Sequence, residues 1–223
     1  MDSSMKSYLA ELFGTFTLVF VGGLSVITVT LEPFSAGGNV VIPALAHGLA
    51  LLVIAFVYGG ISGAHVNPAI TISLLLGGKI DAVKGGIYIV MQVIGAIVAA
   101  VVIEGILPAG NAGQATGGIT ASNLIGAGIL EFFFTFLLAT TVWQAAAHGR
   151  AGNLAPIAIG LTLAACILAG GMISGASLNP ARTLGPALIG GDLSYAPVYI
   201  IAQILGGVTG WVVNGMLLTP DKK

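Results

Sequence analysis

The sequence predicts an all-α membrane protein: six transmembrane helices and two re-entrant half-helices, arranged as an inverted repeat within a single domain over 1–223. Three observations predict it. Hydrophobic residues make up 57% of the chain and charged residues only 7%, with a mean hydropathy of +1.05. A soluble domain carries roughly a quarter charged residues, so lipid must be the outer solvent here. The apolar residues gather into six stretches of bilayer-crossing length. One short motif also occurs twice with its surroundings.

A helical span needs ~20 apolar residues. The six candidates are 8–29, 41–59, 85–106, 124–146, 155–173 and 196–218. The first, starting near Tyr8, is read as a retained span and not as a cleavable signal. Two shorter apolar stretches, 68–76 and 180–189, begin at Pro68 and Pro180. At 1.5 Å per residue each reaches only ~15 Å, about half a hydrocarbon core. Proline suits a first helical turn, where its missing N–H would be unpaired anyway. These two are therefore read as half-helices that enter the membrane from loops. The 34 glycines suit close helix packing in lipid.

Lysine and arginine fix the orientation. Lys6, Lys79, Lys84, Arg150, Lys222 and Lys223 all fall on one side if six spans alternate, which puts both termini in the cytoplasm. The opposite loops carry Glu32 and Asp192, and Arg182 is the exception to the pattern.

The repeat sets the topology. Asn67-Pro68-Ala69 returns as Asn179-Pro180-Ala181, and its lead Ile61-Ser62-Gly63-Ala64 returns as Ile173-Ser174-Gly175-Ala176. Gly48-Leu49 pairs with Gly160-Leu161 at the same offset. Ala10-Glu11-Leu12-Phe13 resembles Leu130-Glu131-Phe132-Phe133, and Tyr88 to Gln92 resembles Tyr199 to Gln203. Repeat one covers about 8–106, repeat two about 124–218, and 107–123 connects them. Three spans per repeat turn the second half upside down, with the site at the interface near the midplane.

Several classes drop out. A formal charge of −1 offers nothing to nucleic acid. One cysteine, Cys166, excludes an intrachain disulfide framework. His47, His65 and His148 are too scattered for a zinc site, and no metal or cofactor is implied. No nucleophile–base pair suggests an enzyme.

With these motifs the chain resembles the aquaporin, or major intrinsic protein, family over nearly its whole length. The resemblance implies a passive water channel without cofactors, assembled as a homotetramer with one pore per subunit. It implies a constriction counted from the motifs: His47, Ile167, Ala176 and Arg182. Strict water channels have their histidine at the second of these positions. Here the set is similar to that of plant tonoplast members, which implies ammonia, urea or hydrogen peroxide as further solutes. The glycerol-conducting branch has Asp and a basic residue where this chain has Thr183 and Ala187, so that branch is disfavoured. The paired aromatics of the water branch in span six are here Tyr199 and Ile200, half a match. The expected location is the cell membrane, with an internal membrane such as the vacuole left open.

Physical reasoning gives each residue a task. Asn67 and Asn179 cap the half-helices and offer amide donors. Two opposed helix N-termini make the midplane electropositive, a barrier to cations and protons. Gly63 and Gly175 permit the backbone angles of extended loops whose carbonyls, from Gly63, Ala64, His65, Gly175, Ala176 and Ser177, form an acceptor ladder. Arg182, one turn beyond Asn179, donates to permeants and repels cations. The alternatives are plain caps for the two Asn, a loop tie for Arg182, and a buried histidine away from the pore for His47. Glu11 and Glu131 are read either as a proton relay or as acceptors for loop N–H groups, aided by Gln92 and Gln203. His65 is expected at the cytoplasmic vestibule, with pH gating as an option. Gly48 and Gly160 read as a helix crossing, Cys166 as facing off the pore, and His148 and Arg150 as solvated loop. Glu104 receives no role, and the loop near Thr116 is a possible outer cap. A proton-coupled carrier, which also uses inverted repeats, is the main rival; a junctional protein with a closed pore is another.

Overall fold

In lipid each backbone N–H must find its carbonyl within its own segment, so apolar runs free of interior proline become long helices. The computed structural model describes residues 2–30, 39–107, 112, 115 and 123–220. Within these, α1 is Ser3–Thr30, α2 Val41–Ser62, α3 Pro68–Leu76 and α4 Ala82–Ile106. The second repeat has α5 Leu124–Thr141, α6 Ala155–Ser174, α7 Pro180–Gly190 and α8 Ala196–Gly210. Six helices are long and apolar enough to cross a membrane, and α3 and α7 are the re-entrant half-helices. Glu32, the Thr116 loop, Lys222 and Lys223 lie outside the described residues.

The boundaries follow local chemistry. α1 starts earlier than the apolar run because the Asp2 carboxylate accepts from Met5 N at 2.8 Å. Asp81 does the same for α4, accepting from Lys84 N at 2.9 Å. α2 and α6, which feed the re-entrant loops, end on Gly63 and Gly175 at φ 92° and 79°, a left-handed stop that glycine adopts without a Cβ clash. Spans four and six do not stay α-helical to their ends. Val142–Ala147 and Trp211–Leu217 widen into π-turns and meet at the inner face, the side that carries Lys79, Lys84 and Arg150. There Trp143 is buried, donating from Nε1 to Ser73 Oγ at 2.9 Å. The expectation of a solvated loop fails for His148. Its Nε2 donates to the Asn214 carbonyl at 2.8 Å and its ring lies 5.5 Å from Trp143. Arg150 reaches Gln144 Oε1 at 3.0 Å from an exposed position. On the outer loop, Ser194 donates twice to Asp192, which holds that carboxyl below its usual range.

Packing is organised around the repeat. α1 lies against α2 and α4, and α5 against α6 and α8. The two halves meet where α2 crosses α6: a methyl on Gly48 would stand 2.8 Å from the Gly160 carbonyl. Each half-helix rests chiefly on the opposite repeat, α3 on α8 and α7 on α4. Gly207 admits the Ala69 backbone and Gly185 the Ala96 backbone, with no room for a side chain at either glycine. Cys166 is buried beside the Phe134 carbonyl. The outward face is apolar, with Leu49, Val53, Ile129 and Phe133 more than half exposed.

Candidate functional site

A re-entrant loop has no helix or sheet ladder, so its N–H groups must be met by side chains. Glu11 meets those of the first loop. One oxygen accepts from His65 N at 3.0 Å and Ser62 Oγ at 2.6 Å, and the other from Val66 N and Gln92 Nε2, both at 2.7 Å. Glu131 repeats the pattern on the second loop. Its oxygens accept from Ser177 N and Ser174 Oγ at 2.9 Å, and from Leu178 N and Gln203 Nε2 at 2.8 Å. Every partner of each carboxyl group is placed to donate to it. Ser62 and Ser174 accept in turn from Ala64 N and Ala176 N, at 3.0 and 3.1 Å. Tyr88 and Tyr199 tie the loop entrances by donating to the Ser62 and Ser174 carbonyls. Sequence reasoning missed these serines and tyrosines. The signal was there: Tyr and Gln stand one turn apart in both Tyr88–Gln92 and Tyr199–Gln203, on one helix face.

These bonds hold an unusual backbone. Ala64, Val66, Ala176 and Leu178 all have positive φ, between 42° and 55°. Such conformations cost ~1–3 kcal/mol each for non-glycine residues and persist only where surroundings over-determine them. Among the described residues, the carbonyls of Gly63, Ala64, His65, Gly175, Ala176 and Ser177 accept no hydrogen bond from the protein.

At the end of each loop an asparagine caps a half-helix. Asn67 Oδ1 accepts from Ala69 N at 2.9 Å; Asn179 Oδ1 accepts from Ala181 N at 3.0 Å and Arg182 N at 3.3 Å. Pro68 and Pro180 occupy the first helical positions. The amide nitrogens reach across the repeat. Asn67 Nδ2 donates to the Leu178 carbonyl at 2.8 Å, and Asn179 Nδ2 to the Val66 carbonyl at 2.7 Å. Each amide nitrogen keeps one further hydrogen.

Two cavities meet here. The inner one, about 690 Å³, runs from Lys79 and Asn153 past Gly63, Ala64 and His65 to Asn67, Ser177, Asn179 and Arg182. Four leucines, Leu18, Leu51, Leu138 and Leu163, give it apolar walls at repeat-equivalent positions. The outer cavity, about 140 Å³, is lined by His47, Ile167, Gly175 and Arg182, with Val40 and Met172 at its apolar walls. Arg182 borders both. Ala176 borders neither; it is fully buried in the apolar cluster that includes Ile167 and Leu178. The Arg182 side chain is 2% exposed. Its Nε donates to His47 Nε2 at 2.9 Å, while Nη1 and Nη2 have no partner among the described residues. His47 Nδ1 donates to the Pro43 carbonyl at 2.8 Å. His65 lies at the inner cavity with Nδ1 3.2 Å from Thr71 Oγ1 and its ring edge-on to Tyr88; Ser177 and Thr183 form the equivalent pair at 2.7 Å. Glu104 accepts from Ala112 N at 2.9 Å, away from both cavities.

Comparison with known proteins gives a consistent assignment. A family model described as Major intrinsic protein matches residues 1–214. The chain is similar to Aquaporin TIP2-3 of Arabidopsis thaliana, 36% identical over 96% of this chain and 87% of the relative. It is also similar to Glycerol uptake facilitator protein-like 6 of Lactiplantibacillus plantarum, 40% identical over 92% of this chain and 94% of the relative. The fold matches that of the aquaglyceroporin from Plasmodium falciparum with a TM-score of 0.84, at 24% identity, covering 97% of this chain and 98% of that one. The chain belongs to the major intrinsic protein family, whose members are passive membrane channels and not enzymes.

Proposed function

We propose that the chain conducts water and small neutral solutes, ammonia foremost and also urea and hydrogen peroxide, while excluding protons and ions. The crossed asparagines carry this reading. They set two half-helix N-termini, each worth about half a positive charge, against one another beside the inner cavity. A cation there loses water and meets only donors. A neutral molecule receives a hydrogen from each amide and moves on along the free carbonyls of the loops. Apolar leucines opposite offer it nothing to stop at.

His47, Ile167 and Arg182, which line the outer cavity, are proposed as the selecting constriction, with Ala176 packed behind Ile167 in the apolar cluster and not at the cavity wall. The unpaired guanidinium hydrogens of Arg182 support this, since a buried donor without a partner is costly unless a permeant supplies the acceptor. Isoleucine at 167 leaves the wall opposite apolar, which suits molecules that need few hydrogen bonds. Glu11, Glu131, Gln92 and Gln203 are assigned to loop support. We also propose a homotetramer in the cell membrane, with an internal membrane such as the vacuole as the alternative, and both termini cytoplasmic; the apolar outer face supports burial in lipid and the one-sided lysines and arginines support the orientation.

A glycerol facilitator is the second reading, favoured by the 40% identity to the glycerol uptake facilitator-like relative; Thr183 and Ala187 speak against it. Stopped-flow measurements on proteoliposomes with water, ammonia, urea, hydrogen peroxide and glycerol separate the two. The proposal expects fast water and ammonia fluxes that do not saturate and ignore a proton gradient. Water flux no faster than in empty liposomes refutes it. Glycerol flux outrunning water selects the second reading.

A further inference from the structure

The outer cavity is shaped by a residue that does not line it. His47 is fully buried, and its imidazole fills a notch on α1 at Gly22. A methyl group built on Gly22 would overlap the ring, at 2.7 Å from Cε1 and closer still to Cδ2 and Nε2. The ring is a rigid plate that cannot yield by bending. Its orientation is also fixed chemically. The Pro43 carbonyl can only accept, so Nδ1 carries the hydrogen, and Nε2 offers its lone pair to Arg182 Nε–H.

Helix packing alone does not require this notch. The positions that the repeat makes equivalent to Gly22, His47 and Arg182 are Val142, Ile159 and Ile70. All three line the inner cavity with ordinary apolar bulk. Glycine therefore occurs at the cavity that His47 and Arg182 line, and not at the repeat-equivalent place beside the inner cavity.

We propose that Gly22 is a positioning residue that sets the selectivity of the outer constriction. The notch draws the His47 ring off the passage and against α1. From there Nε2 holds the guanidinium by its Nε edge, leaving Nη1 and Nη2 for the permeant. A side chain at 22 displaces the ring, breaks the Arg182 bond and puts the imidazole into the 140 Å³ outer cavity. The proposal rests on the channel reading above.

The test is a double-mutant cycle of Gly22→Ala and His47→Ala in proteoliposomes, reading water, ammonia and urea permeabilities, with the melting temperature of each purified variant alongside. Gly22→Ala alone is expected to lower urea permeability by about tenfold, a barrier rise of about 1.4 kcal/mol, and water by less, so the urea-to-water ratio falls. On the His47→Ala background the ring is gone, and Gly22→Ala is expected to change neither flux nor melting by more than measurement error. A Gly22→Ala protein that conducts like the parent overturns the proposal. So does an equal loss of flux or melting temperature on both backgrounds, which would mark a general helix-packing effect. A poorly folding Gly22→Ala protein is decided by the melting cycle: rescue by His47→Ala supports the proposal and failure to rescue overturns it. A parent protein that does not conduct water refutes the channel reading itself, and this proposal with it. A conducting parent with uncoupled positions refutes only the proposal.

Discussion

Glu131→Gln tests the support of the second loop most sharply, because it keeps the shape and replaces one acceptor oxygen with a donor. Glu131 accepts four hydrogen bonds, two of them from the backbone of Ser177 and Leu178. A glutamine can present its carbonyl oxygen to only one of those N–H groups. If its NH2 takes the place of Oε2, Gln203 can turn its amide over to accept, but Leu178 N is left facing a donor. If the NH2 takes the other place, Ser174 can rotate its hydroxyl, but Ser177 N is orphaned. Either way one buried N–H loses its partner, at ~1–3 kcal/mol. The positive φ of Ala176 and Leu178 then loses its restraint. The net destabilisation is about 1–3 kcal/mol, a fall of about 2–12 °C in melting temperature for a chain of this size. Tryptophan fluorescence melting of the purified protein measures the fall, and stopped-flow light scattering reads the accompanying drop in water flux. A variant that melts with the parent and conducts water as well would refute the reasoning. A variant that melts with the parent but loses proton-coupled flux would instead favour a relay.

Three further outcomes follow from the same geometry. Asn179→Asp places a carboxylate against the Val66 carbonyl where the amide now donates; cation conductance in planar bilayers is expected to appear, and unchanged ion exclusion would count against the electropositive midplane. Arg182→Val removes the guanidinium that borders both cavities, so urea and glycerol fluxes should rise relative to water and proton leakage should become measurable; unchanged ratios would displace Arg182 from the constriction. Gly160→Leu forces a side chain to within 2.6 Å of Leu52 Cβ at the α2–α6 crossing, and overpacking of ~1–3 kcal/mol or more should lower the melting temperature while Ala at exposed Leu161 does not.

Much of this was legible in the sequence because lipid leaves few options. Six apolar runs became six spans, and the doubled asparagine motif located both half-helices, since Asn and Pro are the residues that start a helix sharply. Glu11 and Glu131 were legible as loop acceptors because a ladderless loop needs them. Pairwise detail was not. The partners of His47 depend on how α1, α2 and α7 converge, and nothing local to Gly22 announces an imidazole beside it. The left-handed turns at Val66 and Leu178 contradict the preference of branched and bulky residues for extended backbone, and are imposed by the carboxylates and asparagines around them. The π-turns at Val142–Ala147 and Trp211–Leu217 carry Trp143 and Trp211, whose rings lie against Gly215 and against Gly77 from a distant part of the chain. The histidine that follows was misjudged because its acceptor, the Asn214 carbonyl, lies 66 positions away.

The crossed amides have a consequence for how the protein comes to exist. The Leu178 carbonyl of one pore loop is met by a side chain that only the other half supplies, and the Val66 carbonyl likewise. Each half-helix also lies mainly on the opposite half. Neither half is a finished object. The first three spans leave the ribosome with a loop whose last carbonyl has nothing to bind, and it stays provisional until the inverted half arrives. Fragments severed between the repeats would be incomplete apart and complementary together, as would two copies of an ancestral single half inserted in opposite senses.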